Sequence, residues 1–352
     1  MIPHQLPAAR ARVPEALHLA MAPPPPRRRA QRTPWAPRRW RVAAETAPPS
    51  PPAAGDLAQL GALLASGREG EAVALAAALR EAGALRAFGR AAGVPKRAYT
   101  MEELRLNKIE TKDFLAPEDA TLNGVRTAAQ AAFAAGALAA GAALHATPSS
   151  PLPWAVGALA LLTADQVGNG GGVEALLVDA AGRVLSPTYA RRVALHEAGH
   201  FLVAYLLGLL PRGYTLSAWD AFAAERSLNI QAGTTFCDAA FQKEVASGRL
   251  SSGSLDVYSC VALAGVATEW LRFGRAEGGL SDVQQLDGLL RALGFTQAKA
   301  DSQVRWAVLN VVTLLRRHQG AHDALADAMS RRAPVGECVR TLERALAGAA
   351  DI

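Results

Sequence analysis

The chain has 352 residues, half of them hydrophobic, so it has room for two domains, or one with appendages, and can bury a sizeable core. Its formal net charge of +6 sits in residues 1–50, which hold nine arginines, no lysine and two acids; the remainder carries 6 − 7 = −1. A basic balance confined to a leader gives no reason to expect a nucleic-acid partner. Three scattered cysteines, Cys237, Cys260 and Cys338, form no C-x-x-C pair and exclude a disulfide framework; they fit unlinked, partly buried thiols in a reducing compartment.

Residues 1–54 contain "APPPPRRR", "APRRWRV" and "APPSPPAAG". Proline at this density denies a long helix or a packed core. Arginine-rich and acid-poor composition is that of an organelle transit peptide. The expectation is a disordered, cleaved organelle leader; the chloroplast is the expected destination, but composition alone does not separate it from the mitochondrion. The mitochondrion is the alternative destination, and a retained solvated tail is the other reading of the same composition.

Residues 55–124 read as a helical N-terminal region and linker. Leucine and alanine recur at three- and four-residue spacing over 56–92, broken by "SGREG", which predicts two or three short helices. The polar stretch that follows reads as a linker with a short helix. From Thr127 to Ala164 there is no Asp, Glu, Lys or Arg. An Ala/Gly-rich run over 127–146, the turn "TPSSPLP" and then "WAVGALALLTA" predict a transmembrane hairpin over 125–168 and a membrane-associated protein. A buried helical hairpin is the alternative.

After "GNGGG", the piece "VEALLVDAAGRVL" reads as strand-like. A long helix runs from about Pro187 to Gly208. "GYTLSAW" and "SLNIQAGTTF" look like short strands. Helices follow over about 238–247, 253–273, 281–292, 296–317, 319–331 and 336–348. The expected fold class is mainly α, with a small β-sheet beside the long helix.

That long helix carries "RRVALHEAGHFLVAYLLG". His196 and His200 are four apart, so both imidazoles share one helix face, one turn apart, where a single metal ion bridges them. Glu197 lies beside that face and is placed to take a proton from a water the metal activates. This is the H-E-x-x-H arrangement of zinc metallopeptidases, with Zn2+ as cofactor and Glu197 as candidate catalytic base. A catalytic zinc needs a third protein ligand and an open fourth position.

The downstream segment "ALAGVATEWLRFGRAEGGLSDVQQLDGLL" resembles the peptidase domain of FtsH-type zinc proteases. Those carry H-E-A-G-H on one helix, then roughly G-G-R-A-A-E-x-x-x-F-G, a glycine-containing loop and S-N-D. The matching residues are Gly265, Ala267, Glu269, Phe273 and Gly274, then Gly278, Gly279, Ser281 and Asp282. The resemblance covers about residues 187–348, within an expected peptidase domain over 169–352. It is similar to a stand-alone plant, algal and cyanobacterial group without the ATPase module.

The resemblance implies an FtsH-like helical fold, a metalloendopeptidase activity on polypeptide substrates, and Asp282 as third zinc ligand. Glu269 reads either as a carboxylate orienting a histidine or as a core-edge acid in an ion pair. The five lysines each follow a residue other than glycine, so no phosphate loop exists in the chain. Any use of ATP then needs an ATPase partner chain, alongside homo-oligomer formation as the other expected association.

Two rival readings stand beside this one. A non-proteolytic membrane scaffold or chaperone-like protein would keep the fold without turnover. A site-2-type intramembrane protease would use Asp287 of "LDG" as its ligand, although the proline motif that precedes L-D-G in those enzymes is absent. Ser281 is expected to cap the helix carrying Asp282, and "SLNIQAGT" to hold substrate as an added strand. The pair His318 and His322, in "RRHQGAH", reads as a solvated helix end.

Overall fold

The computed structural model describes residues 54–91, 93–110, 115–117, 120–143, 151–168, 172–226 and 232–349. The expected leader up to residue 53 lies outside the described residues. So do residues 227–231 of the second expected strand, 144–150 and 169–171.

The leucine and alanine spacing near the start makes α1 (Ala54–Ala65) and α2 (Glu69–Glu81), separated at Gly67, whose φ of 72° is a left-handed backbone. Leu57, Leu60 and Leu64 of α1 and Ala72, Ala76 and Leu79 of α2 form the buried stripes. The polar linker holds α3 (Met101–Leu106). It starts with a capping box in which the Thr100 hydroxyl accepts the Glu103 N–H and the Glu103 carboxylate accepts the Thr100 N–H.

The charge-free segment folds as α4 (Ala120–Ala143) packed on α5 (Pro151–Gly168), the hairpin the sequence predicts. Its membrane-spanning character is a different matter. Among the described residues, no helix is long and apolar enough to cross a membrane. Alanine, glycine, threonine and glutamine dilute α4, and Asp165 and Gln166 dilute α5. The hairpin does leave Phe133, Val156, Leu159 and Leu161 exposed.

Residues 173–185, expected as strand-like, form α6 (Gly172–Leu185) instead. Two physical terms favour the helix over the β-pattern suggested by its valines and leucines. Alanine recurs through the segment. The Asp165 carboxylate also accepts the N–H groups of Val173 and Glu174 at 3.2 and 3.0 Å, which satisfies the helix start.

The central element is α7 (Pro187–Leu207), with the bounds the sequence implies. Proline in the first turn needs no N–H partner, and Gly208 ends the helix at φ 87°. Every residue from Ala194 to Leu206 is buried, as expected for a helix that is wrapped on all sides. The antiparallel strands β1 (Pro211–Thr215) and β2 (Gly233–Phe236) lie against it, pairing Tyr214 with Thr234 and Thr215 with Gly233. Between them, Ser217 stops the strand by accepting the Asp220 N–H and starting α8 (Ala218–Glu225).

The C-terminal half is helical: α9 (Ala239–Ala246), α10 (Ser252–Ala262), α11 (Ala264–Phe273), α12 (Leu280–Ala292), α13 (Gln297–Arg317), α14 (Gln319–Ser330) and α15 (Val335–Leu346). The molecule is therefore mainly α with a two-stranded sheet. Three details differ from expectation. The single helix over 253–273 is broken at Leu263 into α10 and α11. Ser281 lies inside α12, whose start is marked by Gly279 at φ 84°. His318 and His322 are not solvated, being 4 % and 3 % exposed, because the α13–α14 junction packs into the core.

One hydrophobic core runs from Leu57 to Leu346. The N-terminal helices are part of it: buried Glu343 of α15 accepts the N–H groups of Arg86 and Ala87 at 2.8 and 3.0 Å and the hydroxyl of Tyr205 from α7. Helix α1 packs on α15 so closely that a Cβ at Gly336 would overlap the Leu57 carbonyl.

Candidate metal centre

His196 and His200 project from one face of α7 with their Nε2 atoms 3.1 Å apart. Each Nδ1 is committed elsewhere. His200 Nδ1 donates to the carbonyl of Val261 at 2.7 Å, a main-chain acceptor next to the break between α10 and α11. His196 Nδ1 donates to Glu269 Oε1 at 2.7 Å. With both protons on Nδ1, both Nε2 atoms turn lone pairs into the same space.

Asp282, in the first turn of α12, brings a third acceptor there. Its Oδ2 lies 3.2 Å from His196 Nε2 and 3.4 Å from His200 Nε2. Three lone-pair donors thus form a triangle with edges of 3.1, 3.2 and 3.4 Å. Bonds of about 2.0–2.1 Å at tetrahedral angles place ligand atoms roughly 3.3 Å apart. The donor set and its spacing could hold a metal ion at His196, His200 and Asp282.

The electrostatics point the same way. Burial pulls His196 down, but hydrogen bonds to Asp282 and Glu269 outweigh it and hold the imidazole well above its usual range. His200 is raised in the same manner, chiefly by Asp282. Burial would raise Asp282, yet the charges of His200 and His196 hold it below the ordinary carboxylate range. The cluster therefore stabilises positive charge at its centre.

Glu197 is 4 % exposed, and its carboxylate Oε2 accepts the Thr234 hydroxyl of β2 at 2.9 Å. Burial raises its pKa, partly offset by the two histidines. Glu269 is 2 % exposed and held at about 2: burial opposes ionisation, and the His196 contact with the N–H groups of Glu277 and Gly278 overcomes it. Of the two roles read for Glu269, the geometry gives the histidine-orienting one, joined to an ion pair with Arg192.

Close backbone approach makes this assembly possible. A Cβ at Gly265 of α11 would overlap His196 Nε2, and one at Gly199 would overlap the Thr268 hydroxyl. Gly279 lies where a Cβ would sit 2.9 Å from His196 Cε1 and 3.2 Å from Asp282 Oδ2. The site opens into a cavity of about 1300 Å³, lined by Glu197, Thr234, Phe236, Phe241, Tyr258 and, from α6, Val178.

The structure brings together His196, Glu197, His200 and Asp282. It leaves Asp287 outside the cluster: half exposed on α12, it pairs with Arg291 at 2.7 Å. Sequence reading missed Arg192, Thr234 and the Val261 carbonyl. Arg192 precedes His196 by four residues, a signal that was available. The other two had none, since neither a strand hydroxyl nor a main-chain carbonyl announces its partner. The cysteines are free, as expected, with Cys260 and Cys338 buried.

No family model, no curated protein and no solved structure matches the chain.

Proposed function

We propose that the protein is a zinc-dependent metalloendopeptidase of the FtsH type, with no ATPase module in this chain. The observation that carries the reading is the triangle of His196 Nε2, His200 Nε2 and Asp282 Oδ2, at zinc-ligand spacing, with buried Glu197 alongside. Bound zinc would supply Lewis acidity, polarising the scissile carbonyl and acidifying water. Glu197 takes the proton of the attacking water and later returns it to the leaving amine. Thr234 holds the receiving carboxylate toward the cleft.

The substrate is an extended polypeptide. Among the described residues, β2 is paired on one edge only, and Thr234 joins it to Glu197. This arrangement supports an added substrate strand running past the base. With no phosphate loop, cleavage is confined to loose or unfolded segments unless a separate ATPase chain delivers them. The arginine- and proline-rich, acid-poor leader supports an organelle address, chloroplast or mitochondrion.

The test is cleavage of unfolded casein by the purified chain, with and without a chelator, beside its zinc content. Chelator-sensitive cleavage with about one zinc per chain is expected. A chain that binds zinc and cuts nothing would favour the scaffold reading.

A further inference from the structure

Arg192 stands on α7 one turn before His196, with its side chain 14 % exposed. Its Nη1 donates to Glu269 Oε2 at 3.1 Å, its Nη2 lies 3.5 Å from Glu277 Oε1, and its guanidinium sits 4.1 Å from the Phe273 ring centre. Two buried carboxylates, Glu269 and Glu277, therefore share one guanidinium. Glu269 Oε1 accepts the Nδ1–H of His196, while Oε2 also accepts the N–H groups of Glu277 and Gly278 at 2.8 and 3.1 Å. The loop holding Glu277 and Gly278 leads within a few residues into α12 and Asp282.

We propose that Arg192 is a positioning residue for the metal centre. By bridging Glu269 to Glu277 it locks the loop 274–279 against α7 and keeps Asp282 in register with the two histidines. The inference rests on the zinc-site reading above, and it does not depend on turnover.

Without the Arg192 guanidinium, Glu269 and Glu277 lose the cation that lies between them, and Glu277 keeps only the exposed Arg275. The loop then swings Glu277 outward, where Arg275, 2.8 Å from it, can follow. The third ligand moves with the loop. A lysine keeps the charge but cannot reach both carboxylates as a fork does.

The experiment compares the full chain with Arg192→Met, Arg192→Lys, Glu277→Gln and the double variant Arg192→Met/Glu277→Gln. Zn2+ affinity is read by competition with a chromophoric chelator, and the site geometry by the visible absorption of bound Co2+. Arg192→Met is expected to weaken Zn2+ binding about 10- to 100-fold and to alter the Co2+ bands, with Arg192→Lys intermediate. Removing the second carboxylate should then restore affinity by at least about three-fold over Arg192→Met alone.

A general loss of packing would not be rescued by Glu277→Gln, so failure of that rescue overturns the bridging role. So does an Arg192→Met chain with wild-type Zn2+ affinity and Co2+ spectrum. If Arg192→Met does not fold, Arg192→Lys beside Arg192→Lys/Glu277→Gln decides by the same rescue. A wild-type chain that binds no Zn2+ overturns the metallopeptidase reading and this inference together; the other adverse outcomes overturn the inference alone.

Discussion

Gly265 of α11 lies against the imidazole of His196 so closely that a single added methyl would sit 2.1 Å from Nε2. His196 and the neighbouring helix are thus fitted to each other at the level of one carbon atom. Gly265→Ala should therefore displace His196 and weaken zinc binding by at least about ten-fold, although alanine is the better helix former. Zinc content after dialysis against a weak chelator measures this; retention equal to wild type would contradict the geometry.

Glu197 touches the cleft and lies outside the ligand triangle. Glu197→Gln should abolish casein cleavage while zinc stays bound, and His196→Ala should lose both. Normal turnover in Glu197→Gln would sink the hydrolytic mechanism.

The two aspartates of α12 separate two kinds of protease. Asp282→Asn should lower zinc affinity at least about ten-fold and remove activity, whereas Asp287→Asn should do little, its carboxylate being paired with Arg291 at the surface. The opposite result would move the ligand to Asp287 and revive the intramembrane reading.

Acid stability offers a further test. Burial holds His322 down at about 4, against 6.5 for a free imidazole, while its Nε2 donates to the Leu195 carbonyl at 2.9 Å. The folded value lies below the unfolded one, so the unfolded chain takes up the proton first as pH falls. Stability present above about pH 6.5 is lost between there and about pH 4. Between pH 7 and 5 this group should cost about 2 kcal/mol. His322→Gln, which keeps a donor for Leu195, should show a correspondingly smaller drop in urea midpoint over that range. An unchanged drop would mean the histidine is not held neutral.

The N-terminal helices should be indispensable. Leu57, Leu60, Leu85, Leu104 and Ile109 are all essentially fully buried. Five such side chains contribute roughly 10 kcal/mol, comparable to the whole stability of a typical domain at about 5–15 kcal/mol. Deleting residues 54–109 should leave a chain without cooperative unfolding, as followed by near-ultraviolet circular dichroism. A truncated chain that unfolds cooperatively would show that these residues are dispensable.

The sequence was most legible where local physics decides. Pro187 and Gly208 bracket α7, and the four-residue histidine spacing needs only helical geometry. It was less legible where tertiary contacts decide. Asp282 sits on another helix 82 residues after His200, so no spacing links them and only the family resemblance pointed to it. The valines and leucines of α6 suggested a strand because its N-terminal cap, Asp165, belongs to the preceding helix. The arginines of "RRHQGAH" suggested exposure, yet His322 turns inward to a carbonyl of α7. Arg192 lies four residues before His196 on the same helix face, a relation that helical spacing alone makes legible.

The packing of α1 on α15 at Leu57 and Gly336 has a temporal consequence. A chain made or threaded from its N-terminus presents α1 first and α15 nearly last. The α7 helix, with its histidines and Glu197, emerges long before the Glu343 carboxylate that fastens Tyr205 to residues 86 and 87. Contacts of such high sequence separation form late in folding. A chain not yet extended to Glu343 thus carries His196, Glu197 and His200 without the contact that fastens α7 to residues 86 and 87, and the candidate site gains that frame only after α15 has joined.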